Sequence, residues 1–160
     1  MKKLISSFVI GTLLIASNGV FANGDITISG QVAAKCTLAV DSFGSQIGDL
    51  TTHDGEFTAG ITSEDCNTLS GFKVFMYTDN KAKLKHENAE NAVSYSVTYK
   101  GLPVSNLDSA DSANKAVALN ISSLASRHIE DSLVKVSMTG NENLPAGTYR
   151  DTIHLSIEAN

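Results

Sequence analysis

Positive charge is scarce in this sequence: 12 lysines and arginines face 17 aspartates and glutamates, for a formal net charge of -5. No basic stripe is present to release counterions from a phosphate backbone, so nucleic acid is not expected as a partner. Anionic membrane surfaces are disfavoured for the same reason. Proline is nearly missing, at 2 residues, and glycine numbers only 12, which excludes collagen-like and proline-rich architectures. Charged side chains make up 18% and hydrophobic ones 42% of the 160 residues, a balance foreign to disordered tails and membrane bundles. One domain is the expectation at this length.

Catalytic signatures are missing as well. There is no H-x-H or H-E-x-x-H zinc pattern, no G-x-S-x-G nucleophile turn and no glycine-rich phosphate loop. His53, His86, His128 and His154 are isolated from one another in sequence. The acid pairs Glu64-Asp65 and Glu130-Asp131 read as solvated loop neighbours, because glycosidase carboxylates need a defined separation across a cleft. Thr52-His53-Asp54-Gly55-Glu56 lacks the twelve-residue calcium spacing and reads as a turn. No catalytic residue, metal ligand or cofactor is therefore expected, and the chain is not expected to be an enzyme.

Residues 1–22 have the layout of a cleaved signal peptide. Lys2 and Lys3 supply the positive start, Leu4 to Ile15 is mostly apolar, and Val20-Phe21-Ala22 fits the A-x-A-like pattern, predicting cleavage before Asn23. The apolar run is too short and interrupted for the roughly 20 residues a spanning helix needs. The mature chain is then Asn23 to Asn160, exported and more acidic still.

Only 2 cysteines occur, Cys36 and Cys66, both in the exported part. An even count in an oxidising compartment reads as a disulfide. On the loop-entropy model a bridge of this span removes about 3.6 kcal/mol of unfolded-chain freedom. No C-x-x-C spacing and no sequence-adjacent histidine supports a metal or redox pair.

Periodicity points to strands. Tyr149, Asp151, Ile153, Leu155 and Ile157 fall on one face, with Arg150, Thr152, His154, Ser156 and Glu158 opposite, which predicts one half-buried strand. Asp151 is the misfit. Val93, Tyr95, Val97 and Tyr99 alternate in the same way, as do Val134, Val136 and Met138. Phe72 to Tyr77 is an apolar-rich run expected to be buried on both sides, and Val117, Leu119 and Ile121 make a shorter strand. Turn signals separate these runs at 78–80, 101–103, 140–143 and 145–147. Residues 81–91 fit either a short polar helix or a charged loop, and 122–131 are equally ambiguous. About seven short strands with regular turns predict an antiparallel sandwich of immunoglobulin-like packing.

Asn23 to Lys35 holds one more alternation, Ile26, Ile28, Gly30 and Val32 against Thr27, Ser29 and Gln31. From periodicity alone this segment is either the domain's own first strand or a strand that completes another sheet. The sequence ends soon after its cleanest strand, which favours the second reading, since no closing strand follows.

The stretches GDITISGQVAAKCTLAV, IGDLTTHDGEFTAGITSEDC and LPAGTYRDTIHLSIEAN resemble a chaperone–usher fimbrial (pilin) subunit. Cys36 directly after the alternating segment is most similar to the Afa/Dr and aggregative-adherence fimbria group. The P-A-G-T-Y-x-D ending is also similar to the capsular antigen type and to spore-coat-U-like pilins. The chain departs from P-pilus and type 1 pilins in lacking a tyrosine one place before its end.

The resemblance implies an all-β fold, an incomplete immunoglobulin-like sandwich lacking its final strand, with an N-terminal donor strand. It implies 1–22 as signal peptide, 23–35 as donor-strand segment and 36–160 as pilin domain. Ile26, Ile28, Gly30 and Val32 would be the donor side chains, and Tyr149, Ile153, Leu155 and Ile157 the acceptor-groove edge. The implied partners are a periplasmic chaperone, an outer-membrane usher and identical or related subunits head-to-tail. In the Afa/Dr-like group a shaft subunit also binds a host receptor. The implied location is a cell-surface fimbria, reached through the periplasm. The length leaves no room for a separate receptor domain. The alternative is a freestanding exported β-sandwich that binds a ligand or inhibits a partner.

Overall fold

In the computed structural model the described residues are 25–42, 47–108 and 115–160. Residues 1–22, which the sequence reading takes as a signal peptide, and Asn23 lie outside them. The chain forms two units, Met1–Val32 and Ala33–Asn160. In the first, residues 25–32 carry no regular structure. The second holds ten strands and, among the described residues, no helix.

The strands are β1 (Cys36–Ser42), β2 (Gly55–Cys66), β3 (Phe72–Thr78), β4 (Lys83–His86), β5 (Ala92–Tyr99), β6 (Leu102–Val104), β7 (Ala116–Ile121), β8 (His128–Met138), β9 (Tyr149–Arg150) and β10 (Ile153–Ala159). The larger sheet runs β1-β2-β8-β5-β4-β9, with β6 also on β5, and the smaller runs β10-β3-β7. Every pairing is antiparallel. The architecture is an all-β, immunoglobulin-like sandwich of two antiparallel sheets.

Period-two alternation builds the core. Val93, Tyr95, Val97 and Tyr99 of β5 and Val134, Val136 and Met138 of β8 are buried, and they meet Phe72, Val74 and Met76 from β3. Each such side chain contributes about 1.5–3 kcal/mol on full burial. β3 is the middle strand of its sheet, yet only alternate residues are fully buried, with Lys73, Phe75 and Tyr77 half-exposed on the outer face. That corrects the expectation of burial on both sides: among the described residues no further layer covers this face. In β2 the register shifts between Thr58 and Gly60, so Phe57 and Gly60 both lie opposite inward residues, Val136 and Val134. A bulge turns the strand's face over in this way. Gly60 has a second task, since a Cβ there would stand 2.9 Å from the Asp41 carbonyl and push β1 away.

Other sequence expectations change. The alternation over Tyr149–Ile157 is two strands, because β9 pairs with β4 in the larger sheet and β10 with β3 in the smaller. The chain changes sheets at Asp151 and Thr152. There the Asp151 carboxylate accepts from Tyr95 Oη at 2.7 Å, Asn80 N at 2.9 Å and Thr152 N at 2.8 Å. The apparent misfit is thus the anchor of the crossing. Residues 81–91 contain β4 between two turns, and the second half of 122–131 opens β8. Leu102 and Pro103 belong to the edge strand β6, a place where proline is tolerated.

Both acid pairs lie on strands. Glu64 and Asp65 belong to β2, and Glu130 and Asp131 to β8. Asp65 points outward to Arg127, with contacts of 2.8 and 2.6 Å, and that guanidinium holds its carboxyl below the ordinary range. Glu64 points inward and is fully buried. Its Oε1 accepts from Thr62 Oγ1 at 2.9 Å and from the Tyr99 hydroxyl, and its Oε2 accepts from Ser132 Oγ at 3.0 Å. A carboxylate in a dry core needs such partners, and this one has three.

Candidate functional site

β1 and β10 are the outermost strands of the two sheets and face each other across the sandwich edge. Each has a ladder partner on one side only among the described residues, β2 for β1 and β3 for β10. They run in opposite directions. Cys36 sits opposite Cys66 and Ala159 opposite Phe72, and the short turn between Cys66 and Phe72 brings these ends together. The turn needs Gly71, whose φ of 79° and contact with the Ile121 carbonyl leave no room for a Cβ.

The disulfide between Cys36 and Cys66 ties β1 to β2 at this end. His128 lies directly across from Cys66 in the β2–β8 ladder and packs its ring 5.0 Å from Phe72. Sequence adjacency therefore missed a histidine beside a cysteine. Asn67 continues the pairing outward, with its N–H on the Lys35 carbonyl at 3.0 Å. Its side chain accepts from Lys35 N at 2.6 Å and donates to the Ala33 carbonyl at 2.9 Å.

At the opposite end the strands part around a trough of about 280 Å³. Val40 and Ser42 form one bank and Ile153 and Leu155 the other, over a floor that includes Phe57, Ala59, Val134 and Val136. Val40 belongs to the inward face of β1 yet is 53% exposed. Ile153, Leu155 and Ile157 form the inward face of β10, and all three are only half-buried. Apolar side chains aimed at a core and left half-wet mark a place where a layer of packing is missing.

The expected site residues fall as follows. Ile153, Leu155 and Ile157 share the trough bank and its extension along β10. Tyr149 does not, because it lies on β9, where its hydroxyl donates to the Pro145 carbonyl at 2.9 Å and its ring meets His86 edge-on at 4.9 Å. Ile26, Ile28 and Val32 are 91%, 92% and 84% exposed, and residues 25–35 carry no strand. Gly30 has open space around its missing Cβ. The trough floor escaped sequence reading: Val134 and Val136 alternate on β8, but the bulge between Thr58 and Gly60 breaks the alternation of β2. Beyond the trough a wider cleft of about 820 Å³ opens between residues 47–51 and 144–152. Among the described residues, no group of three His, Cys, Asp or Glu gathers in metal-binding geometry.

Two buried tyrosines border this region, and both titrate high. Burial, then the hydrogen bond to Asp151, pushes the Tyr95 phenol far above its ordinary 10.0. Burial, then the bond to Glu64, does the same for Tyr99. A raised folded pKa contributes stability that is fully present below the unfolded pKa and lost as pH rises above it. Folding stability should thus hold through neutrality and fall above about pH 10, each tyrosine adding a slope of about 1.4 kcal/mol per pH unit. Denaturant titrations at pH 9 and 11 check this, and equal midpoints at the two values would contradict it.

No protein-family model matches the chain, and no curated protein matches it. Among solved structures it is similar to the minor tip subunit HdaB of the E. coli Hda pilus. The identity is 16% and the TM-score 0.42, over 78% of this chain and 80% of that one.

Proposed function

We propose that this chain is a subunit of a surface fimbria of the chaperone–usher kind, most similar to the Afa/Dr and aggregative-adherence group, and polymerises by strand exchange between copies. The leading segment 23–35 of one copy fills the trough of the next. Ile26, Ile28 and Val32 enter the sandwich and Gly30 passes where the banks are close. The observation that carries this reading is the free edge and half-wet inner face of β10 beside an open apolar trough. Its 7 residues match in length the run from Ile26 to Val32, the alternating apolar segment of the same chain.

Strand addition supplies backbone hydrogen bonds along the β10 edge, and alternate side chains supply specificity. An unfilled edge of this kind invites aggregation, so a periplasmic chaperone holds the subunit until an outer-membrane usher exchanges it for the next copy. Each subunit offers a donor at one place and an acceptor at another, so the contact is heterologous and extends into a filament. Residues 1–22 direct export, 36–160 form the fimbrial domain, and a host receptor is the partner on the finished surface.

A synthetic peptide spanning Asp25 to Ala34 tests the reading. Added to the purified full chain, it should stop filament growth and raise the thermal midpoint, by about 2.7 kcal/mol of added stability at one hundred times its dissociation constant. Continued growth and an unmoved midpoint at saturating peptide would overturn it. The cleft between residues 47–51 and 144–152 favours a second reading, a freestanding exported domain that binds a ligand. A chain that stays monomeric at high concentration and ignores the peptide would favour that one.

A further inference from the structure

We propose that Asn67 is a positioning residue: it holds residues 33–35 in line with β1, so that the leading segment is delivered to a second copy and not to the chain's own trough. The inference rests on the strand-exchange reading above and deepens it.

The competing state is written into the register. A turn at residues 33–35, running back antiparallel beside β1, would put Gly30 beside Leu38, Ile28 beside Val40 and Ile26 beside Ser42. Val40 and Ser42 bank the trough. The two isoleucines would then stand at the level of the open space and glycine at the end where β1 and β10 converge. Three residues suffice for a hairpin connection. Side chains able to complete another copy thus suit their own trough equally well.

Asn67 opposes that turn. Lys35 N donates to its Oδ1 at 2.6 Å, its Nδ2 donates to the Ala33 carbonyl at 2.9 Å, and its own N–H donates to the Lys35 carbonyl at 3.0 Å. These bonds extend the β1–β2 ladder past Cys36, at the end of β1 remote from the trough. Turning back at 33–35 breaks the two side-chain bonds. The disulfide fixes Cys36 against Cys66, so the turn cannot migrate into β1. Only a side chain with a donor and an acceptor on one carbon can grip both groups: aspartate keeps one bond and alanine neither.

The test follows amide hydrogen exchange of residues 25–34 in the monomeric full chain, below the concentration at which filaments form, and filament growth above it. In the parent chain these amides should exchange as in an unfolded peptide. In Asn67→Ala they should become protected independently of protein concentration, and growth should slow about tenfold, as expected for two lost hydrogen bonds. Asn67→Asp should fall between. Protection of β8 amides shows that each variant is folded, a readout that separates steering from general damage. An Asn67→Ala chain with unprotected residues 25–34 and parental growth would overturn the proposal, as would a parent whose segment is already protected. Uptake of the Asp25–Ala34 peptide by the parent chain is a separate measurement, whose result does not depend on how the Asn67 variants behave. The steering role can therefore fail while strand exchange stands.

Discussion

Chains carrying Ile28→Asp should form no filaments, while their troughs still accept a donor from an unaltered copy. Ile28 is the central apolar residue of the alternating segment. Burying it in the trough is worth about 1.5–3 kcal/mol, whereas an aspartate there places a charge among Val40, Phe57 and Leu155 with no partner. The defect is one-sided, and that makes it informative. A chain with a ruined trough, such as Leu155→Asp, keeps its donor and loses its acceptor. Each variant alone should stay monomeric, and an equimolar mixture should stop at heterodimers, because only one productive contact exists between the two kinds. Size-exclusion chromatography reads the result. Filaments of parental length from Ile28→Asp would remove this segment from assembly.

The second large effect concerns the interior. Glu64→Ala should cost about 2–4 kcal/mol of folding stability, from the core volume it empties and the hydrogen bonds it removes. The truncation leaves the Ser132 hydroxyl facing an empty space with no acceptor, and leaves Thr62 and Tyr99 only each other and the Ser132 carbonyl. Glu64→Gln keeps the volume and one carbonyl oxygen, so its cost should be clearly smaller. Denaturant melts in the Ile28→Asp background, expected to stay monomeric, give both values without interference from assembly. A loss under about 1 kcal/mol for Glu64→Ala would show that this network contributes little.

Much of the sandwich was legible in the sequence because its strands alternate in apolarity. β5, β10 and the second half of β8 announce themselves through valines, tyrosines and isoleucines two apart. β2 does not. Its inward residues after the bulge are Gly60, Thr62, Glu64 and Cys66, a nearly polar set that hydrophobic periodicity cannot detect. The cysteine was the available clue, since a bridged, buried Cys66 fixes the face on which 64 and 62 lie. The break at Asp151 was hidden for the opposite reason. Alternation runs straight through it, and only long-range pairing with β4 and β3 reveals two strands. The resemblance named Leu155 and its neighbours as a groove edge, but Phe57 and Val136 were not assigned to a floor. Their meeting depends on which strands lie side by side, and neighbouring residues along the chain carry no record of that.

The bridge at the start of β1 also has a mechanical consequence. In the proposed fibre, tension would enter each domain at Ala33 and reach β1 from its leading end. Pulled there, a lone edge strand would unzip from its neighbour one hydrogen bond at a time. The covalent rivet between Cys36 and Cys66 passes the load directly to β2, a 12-residue strand held on both edges, so that stretching must shear many bonds together.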